Sequence, residues 1–174
     1  MPNALITGIQ VCSLLLLSLV AGAVFGIWRG YDPSAFSAAT FVEVHQGAVK
    51  GLNVLLPAMA AASLLLTVAL GYFARHPAAL WLYVLVAVAI VAGGLITRFG
   101  NQPINAEVMR WTADTMPAGW AQLRDMWWRW HAIRLVTTVC ALILLILAVF
   151  ADRDGRAVSR DDRLGSANMA DRQS

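Results

Sequence analysis

Four apolar runs dominate this chain: Leu5 to Trp28, Gly51 to Phe73, Leu80 to Thr97 and Ile133 to Phe150. Each is long enough to cross a hydrocarbon core of ~30 Å as a helix. Lipid offers no hydrogen bonds, so every backbone N–H and C=O in such a run needs a partner within its own segment, and a helix supplies it. The runs therefore predict an all-α fold, an integral membrane four-helix bundle. It forms one domain over residues 1–151. The remaining segment, 152–174, has five Asp, five Arg and little apolar content, and is expected to be disordered.

Only 13% of residues are charged, against about 25% in an average soluble domain. The net charge of +3 comes from scattered arginines and a single lysine, Lys50. No basic face remains for nucleic acid, so the expected partners are the bilayer and a lipophilic small molecule. Cys12 and Cys140 fall inside apolar runs without CxxC or metal-ligand spacing, and read as small buried residues. No Lys or Arg precedes the first run, and the run is too long for a secretory core, so it is expected to be retained. Arg153, Arg156, Arg160 and Arg163 favour cytoplasmic termini. Gly22, Gly93 and Gly94 permit close packing, within the bundle or in a homo-oligomer. No P-loop, dinucleotide fingerprint or serine-nucleophile motif is present, which disfavours nucleotide-driven and hydrolase chemistry.

Between the runs, Asp32-Pro33 reads as a helix start. Helical periodicity then continues to Phe73, a length of ~60 Å that exceeds one bilayer. Pro57 should kink this helix and free a carbonyl near Asn53. Pro103, capped by Asn101 or Gln102, should open an amphipathic interfacial helix with Ile104, Val108 and Trp111 on one stripe. Pro117 and Gly119 break it. A second helix starts near Trp120 and runs into the fourth span. In a four-span topology the first and third loops share a membrane face, which collects Glu43, His45, Gln46, Lys50, Asn101, Asn105, His131 and Arg134 there.

The segment Trp127-Trp128-Arg129-Trp130-His131-Ala132-Ile133-Arg134 marks the entry to the last span. On a helix His131 and Arg134 share a face, and ionisable groups at such a depth are costly enough to suggest function. Trp127 and Trp130 lie on the Arg134 stripe and could wall a pocket, whereas Trp28, Trp81 and Trp128 read as an aromatic belt. Arg134 is expected to face the bundle as a carboxylate partner or an oxyanion donor; the plainer alternative is snorkelling to headgroups. Glu43 and Lys50 are explained by a solvated face. His45 points about 160° away from Glu43 on an ideal helix. Capping accounts for Asn101, but less well for Asn105, whose amide could bond a substrate oxygen.

Asn101-x-Pro-Ile-Asn105 followed by Trp127-x-x-Trp130-His131-x-x-Arg134 resembles the anthrone oxygenase-like family of small membrane proteins, and the likeness spans all four runs. The resemblance implies a membrane four-helix bundle, with Asn101, Asn105, Trp130, His131 and Arg134 as the positions carried over. Its characterised fungal members oxidise anthrones to anthraquinones with molecular oxygen. The resulting expectation is an oxygenase for a phenolic or polycyclic substrate entering sideways from lipid. His131, or His45, would take a proton, and Arg134 and Asn105 would steady the enolate. No bound cofactor is required. Glu43, His45, Gln46, Trp127 and Trp130 are the expected substrate contacts. Two alternatives remain: a haem or metal redox protein with His45 and His131 as ligands, and a structural membrane protein whose polar cluster knits loops to the bundle.

Overall fold

The computed structural model describes residues 3–112 and 114–171, with side-chain surroundings for 4–112 and 114–156. Helices α1 (Asn3–Gly30), α2 (Ala38–Leu52), α3 (Leu55–Tyr72), α4 (Pro77–Ile96), α5 (Gln102–Val108) and α6 (Trp120–Asp171) make up the described chain. Four stretches are long and apolar enough to cross a membrane: Ala4–Ala35, Ala38–Tyr72, Pro77–Val108 and Trp120–Arg156. In the bundle, α1 packs on α3 and α6, and α4 packs on the same two helices. The expected all-α four-helix membrane bundle is the observed fold.

Local chemistry explains the boundaries. Asp32 does cap a helix start, its carboxylate accepting from the Ser34 backbone N–H at 3.0 Å, but only the short 3-10 turn Pro33–Ala35 follows. Ser37 caps α2 one step later by accepting from Thr40 N–H. Proline lacks an N–H and cannot close a bond to the carbonyl four residues back. Accordingly, the helix breaks at Asn53–Val54, one turn before Pro57. His76 caps α4, with Pro77 at its first position.

The stretch after the third span departs from expectation. Asn101 has helical backbone angles and makes no capping bond, so no new helix starts there. Instead α4 passes through a π-helical turn, Thr97–Asn101, directly into the seven-residue α5. The segment expected as a separate interfacial helix is thus mostly an extension of α4. Such π turns concentrate at functional sites. Here the turn brings Gly100 against the Trp130 ring, where a Cβ would sit 2.5–2.9 Å from ring atoms. Gly100→Ala should therefore lower stability by about 1–3 kcal/mol, visible as a reduced Tm in detergent.

The expected bundle boundary after Ala151 does not mark the end of packing. α6 continues unbroken to Asp171, and Asp152 is only 1% exposed. Asp152 pairs with Arg156 at 2.9 Å and accepts from the Gln10 amide at 3.1 Å. Arg156 also donates to the Phe73 carbonyl, closing the end of α3. Charged residues therefore join three helices at this membrane face, because each finds a partner there. Residues 172–174 of the expected tail lie outside the described residues. Asp152→Asn should cost about 1–3 kcal/mol, read as a lower Tm, by weakening the bonds that its charge strengthens.

Deeper in, Ser13, Ser63 and Thr67 are wholly buried and link α1 to α3 through contacts of 3.2–3.3 Å between their hydroxyls. Polar links of this kind hold membrane helices together where lipid supplies no hydrophobic drive. Cys12 and Cys140 are free thiols on the outer surface of the bundle, not buried as expected. Helix rotation places both positions toward the exterior of an apolar span. Gly93 faces Thr137 and Thr138 on α6 and thus serves packing within the bundle.

Candidate active site

Two of the three apolar clusters among the described residues lie toward opposite ends of the bundle. One, around Leu70, Tyr83 and Leu145, lies toward the termini; the other, around Phe41, Val108 and Trp127, lies toward the first and third loops. Between them is a cavity of about 460 Å³. That size falls within the usual range for small-molecule sites. Its lining runs on α6 from Trp127 to Ala141, a length of ~21 Å. Tyr31, His45, Asn105 and Trp127 form its polar end, while Leu17, Leu64 and Ala141 form its apolar end. No Asp or Glu lines it.

His45, on α2, is held by Asn105 on α5. The Trp127 indole N–H can only donate, and it meets Asn105 Oδ1 at 2.8 Å. That atom also faces His45 Nε2 at 3.2 Å, so Nε2 must carry the proton and donate. The Asn105 amide nitrogen is then free to donate to Asn53 Oδ1 at 3.3 Å. Asn53 and Gln102 complete the arrangement by exchanging amide bonds at 3.2 and 2.7 Å. The consequence is a fixed tautomer: His45 Nδ1 bears its lone pair. Among the described residues its hydrogen-bond partner is the Tyr31 hydroxyl, at the long distance of 3.5 Å.

His131 is organised differently. The Val24 carbonyl can only accept, so His131 Nε2 donates to it at 3.0 Å. His131 Nδ1 then accepts from Arg134 Nη2 at 2.8 Å. Both ring nitrogens are engaged, the ring is wholly buried, and it does not line the cavity. Trp127 and Trp128 stack on it at centroid distances of 5.2 and 5.5 Å. Arg134 does line the cavity. Its Nε is buried without a hydrogen-bond partner, and no carboxylate among the described residues pairs with it. The carboxylate partner expected for Arg134 is therefore not found among the described residues.

Of the residues expected from the sequence to form the site, His45, Asn105, Trp127 and Arg134 line the cavity, and the others do not. Glu43 is exposed. Gln46 caps the end of α5 by donating to the Val108 and Trp111 carbonyls at 3.0 and 2.9 Å. Asn101 ties the π turn to α6 through the Trp127 carbonyl at 3.2 Å. Trp130 covers Gly100 on the outer side of the bundle. Tyr31 was not anticipated as a site residue; at the end of a span it looks like an ordinary interfacial aromatic. In the sequence, Asn53 and Gln102 read only as kink and cap residues.

Trp127 contacts both histidine rings, at centroid distances of 4.8 Å to His45 and 5.2 Å to His131. Arg134 occupies the His131 nitrogen that faces it. Among the described residues no three His, Cys, Asp or Glu side chains gather as a metal site would require.

A family model described as anthrone oxygenase matches residues 47–144, more than half of the chain. The chain belongs to the anthrone oxygenase family. The stretch matched to anthrone oxygenase holds Asn53, the π turn, Asn105, Trp127, His131 and Arg134. His45 and Tyr31, which complete the polar end of the cavity, precede it. No curated protein and no solved structure matches the chain.

Proposed function

We propose that the protein is a membrane oxygenase that oxidises a lipophilic phenolic or polycyclic substrate of the anthrone type, with His45 as the base. The observation that supports it is one apolar cavity lined by both His45, whose Nδ1 has only a long contact to the Tyr31 hydroxyl, and Arg134, whose Nε has no hydrogen-bond partner among the described residues. An acidic methylene beside an aromatic ketone loses a proton to His45 Nδ1. The electron pair left on carbon spreads to the ketone oxygen, where Arg134 stabilises it. Molecular oxygen adds to that carbon, and the proton returns from His45 to give a hydroperoxide. Loss of the second methylene proton then breaks the O–O bond, leaving a carbonyl and releasing water. One oxygen molecule is reduced for each methylene oxidised, so electrons balance without a bound cofactor.

Asn105 acts through His45: by accepting the Nε2 proton it keeps Nδ1 basic and aimed. His131 acts similarly on Arg134, fixing the guanidinium from below. Both are positioning residues. Asn105→Ala should reduce turnover about tenfold to a hundredfold by releasing the tautomer. A partly restored rate in Asn105→Asp, which keeps an acceptor for Nε2, would distinguish positioning from simple loss of fold. The proposal as a whole is tested by oxygen uptake of the purified protein with anthrone. Uptake with one oxygen consumed per anthraquinone formed supports it; none above the detergent blank removes it.

A further inference from the structure

The walls of the cavity are not equally covered. None of its lining residues on α1, α2 or α6 is exposed. The exposed ones are Pro57 and Ala61 on α3, Val91 and Gly94 on α4, and Arg98 in the π turn. The cavity therefore opens between α3 and α4. These helices are close near their short connection, where a Cβ on Gly71 would lie 3.5 Å from that of Tyr83. Toward the opening the contact loosens: a Cβ added at Gly94 would meet nothing within 4 Å. Both helices belong to apolar spans, so the opening faces hydrocarbon.

The charges around this route are all of one sign. Arg98 stands exposed at the rim, one turn beyond Gly94, and Arg134 stands inside. Neither has a carboxylate partner among the described residues, and the lining contains no carboxylate. A cation buried in an apolar cavity without a counter-charge is costly, and an anion brought by the ligand removes that cost. From Arg134 the apolar lining continues to Ala141, seven residues along α6, or ~10 Å.

We infer that the ligand is an amphiphilic organic acid drawn from the bilayer through the α3–α4 opening. Its ionised oxygen passes Arg98 and comes to rest on Arg134, and an apolar body of ~10 Å fills the space toward Ala141. This ligand class rests on the cavity assigned above as the active site, but it needs neither oxygen nor turnover.

Binding of pyrenecarboxylate and of the uncharged pyrenemethanol, read by energy transfer from tryptophan in phosphatidylcholine nanodiscs, separates the two questions. The carboxylate should bind at least about tenfold more tightly than the alcohol. Arg134→Gln should bring the two affinities together. Ala61→Leu with Gly94→Leu should slow carboxylate entry about tenfold and keep the preference for the acid. Thermal unfolding of each variant shows that the bundle is intact. Equal affinities in the unaltered protein, a preference retained in Arg134→Gln, or an unchanged entry rate in the double variant would each overturn the inference. Displacement of the probe by added phosphatidylglycerol would assign the two arginines to lipid headgroups instead. A protein that binds the acid as described but consumes no oxygen with anthrone would retain this inference and lose the oxygenase proposal.

Discussion

Oxygen uptake with anthrone should fall by about 10²–10⁴-fold when His45 is replaced by Gln, the range ascribed to a positioned general base. The expectation rests on the tautomer. Asn105 Oδ1 already accepts from the Trp127 indole, so His45 can meet it only as a donor, and the lone pair must lie on Nδ1. Glutamine keeps a donor for Asn105 and fills much of the same volume, but offers no comparable base. Its Tm should therefore stay near that of the unaltered protein. His131→Gln should behave in the opposite way. It disturbs the bond to the Val24 carbonyl and the support of Arg134, and so lowers stability together with turnover. If His45→Gln lost stability but kept full specific activity, the polar cluster would be a structural knot.

Arg134→Gln should lower kcat by about 10²–10³-fold, the usual cost of removing one group that stabilises a developing oxyanion. The guanidinium is held at Nη2 by His131, while its Nε is buried and unpartnered. Charge on the substrate oxygen grows as the proton leaves, so the effect should fall more on kcat than on KM for a neutral ketone substrate. Arg134→Lys should recover part of the rate, because a point charge remains but the planar fork does not. Steady-state oxygen consumption across substrate concentrations checks both statements. A change confined to KM would make Arg134 a binding group only.

The bundle was legible because its cause is one-dimensional. Long apolar runs have a single workable backbone solution in lipid, and four of them fix which loops share a face. That rule brought His45, Asn105 and Arg134 to one end, and all three line the cavity. It could not say which side of a helix faces a cavity and which faces a neighbour. His131 and Arg134 share a stripe in sequence. Yet rotation of α6 sends the histidine into Val24 and leaves the arginine at the cavity wall. The π turn was hidden because nothing in Thr97-Arg98-Phe99-Gly100-Asn101 distinguishes a wide helical turn from a helix stop and a new start. The turn presents Gly100 to α6, so that Trp130 covers this glycine instead of walling the pocket. Asp152 and Arg156 look like the start of a soluble tail until Gln10 and the Phe73 carbonyl, distant in sequence, are placed beside them.

In the proposed reaction His45 removes a proton from a carbon acid bound in this cavity. Hydrogen–deuterium exchange at the methylene of anthrone, followed by NMR without oxygen, isolates that step from the oxidation. The unaltered protein should accelerate exchange above the detergent blank, and His45→Gln should abolish the acceleration. Exchange no faster than the blank, or equally fast in His45→Gln, would contradict this role of His45.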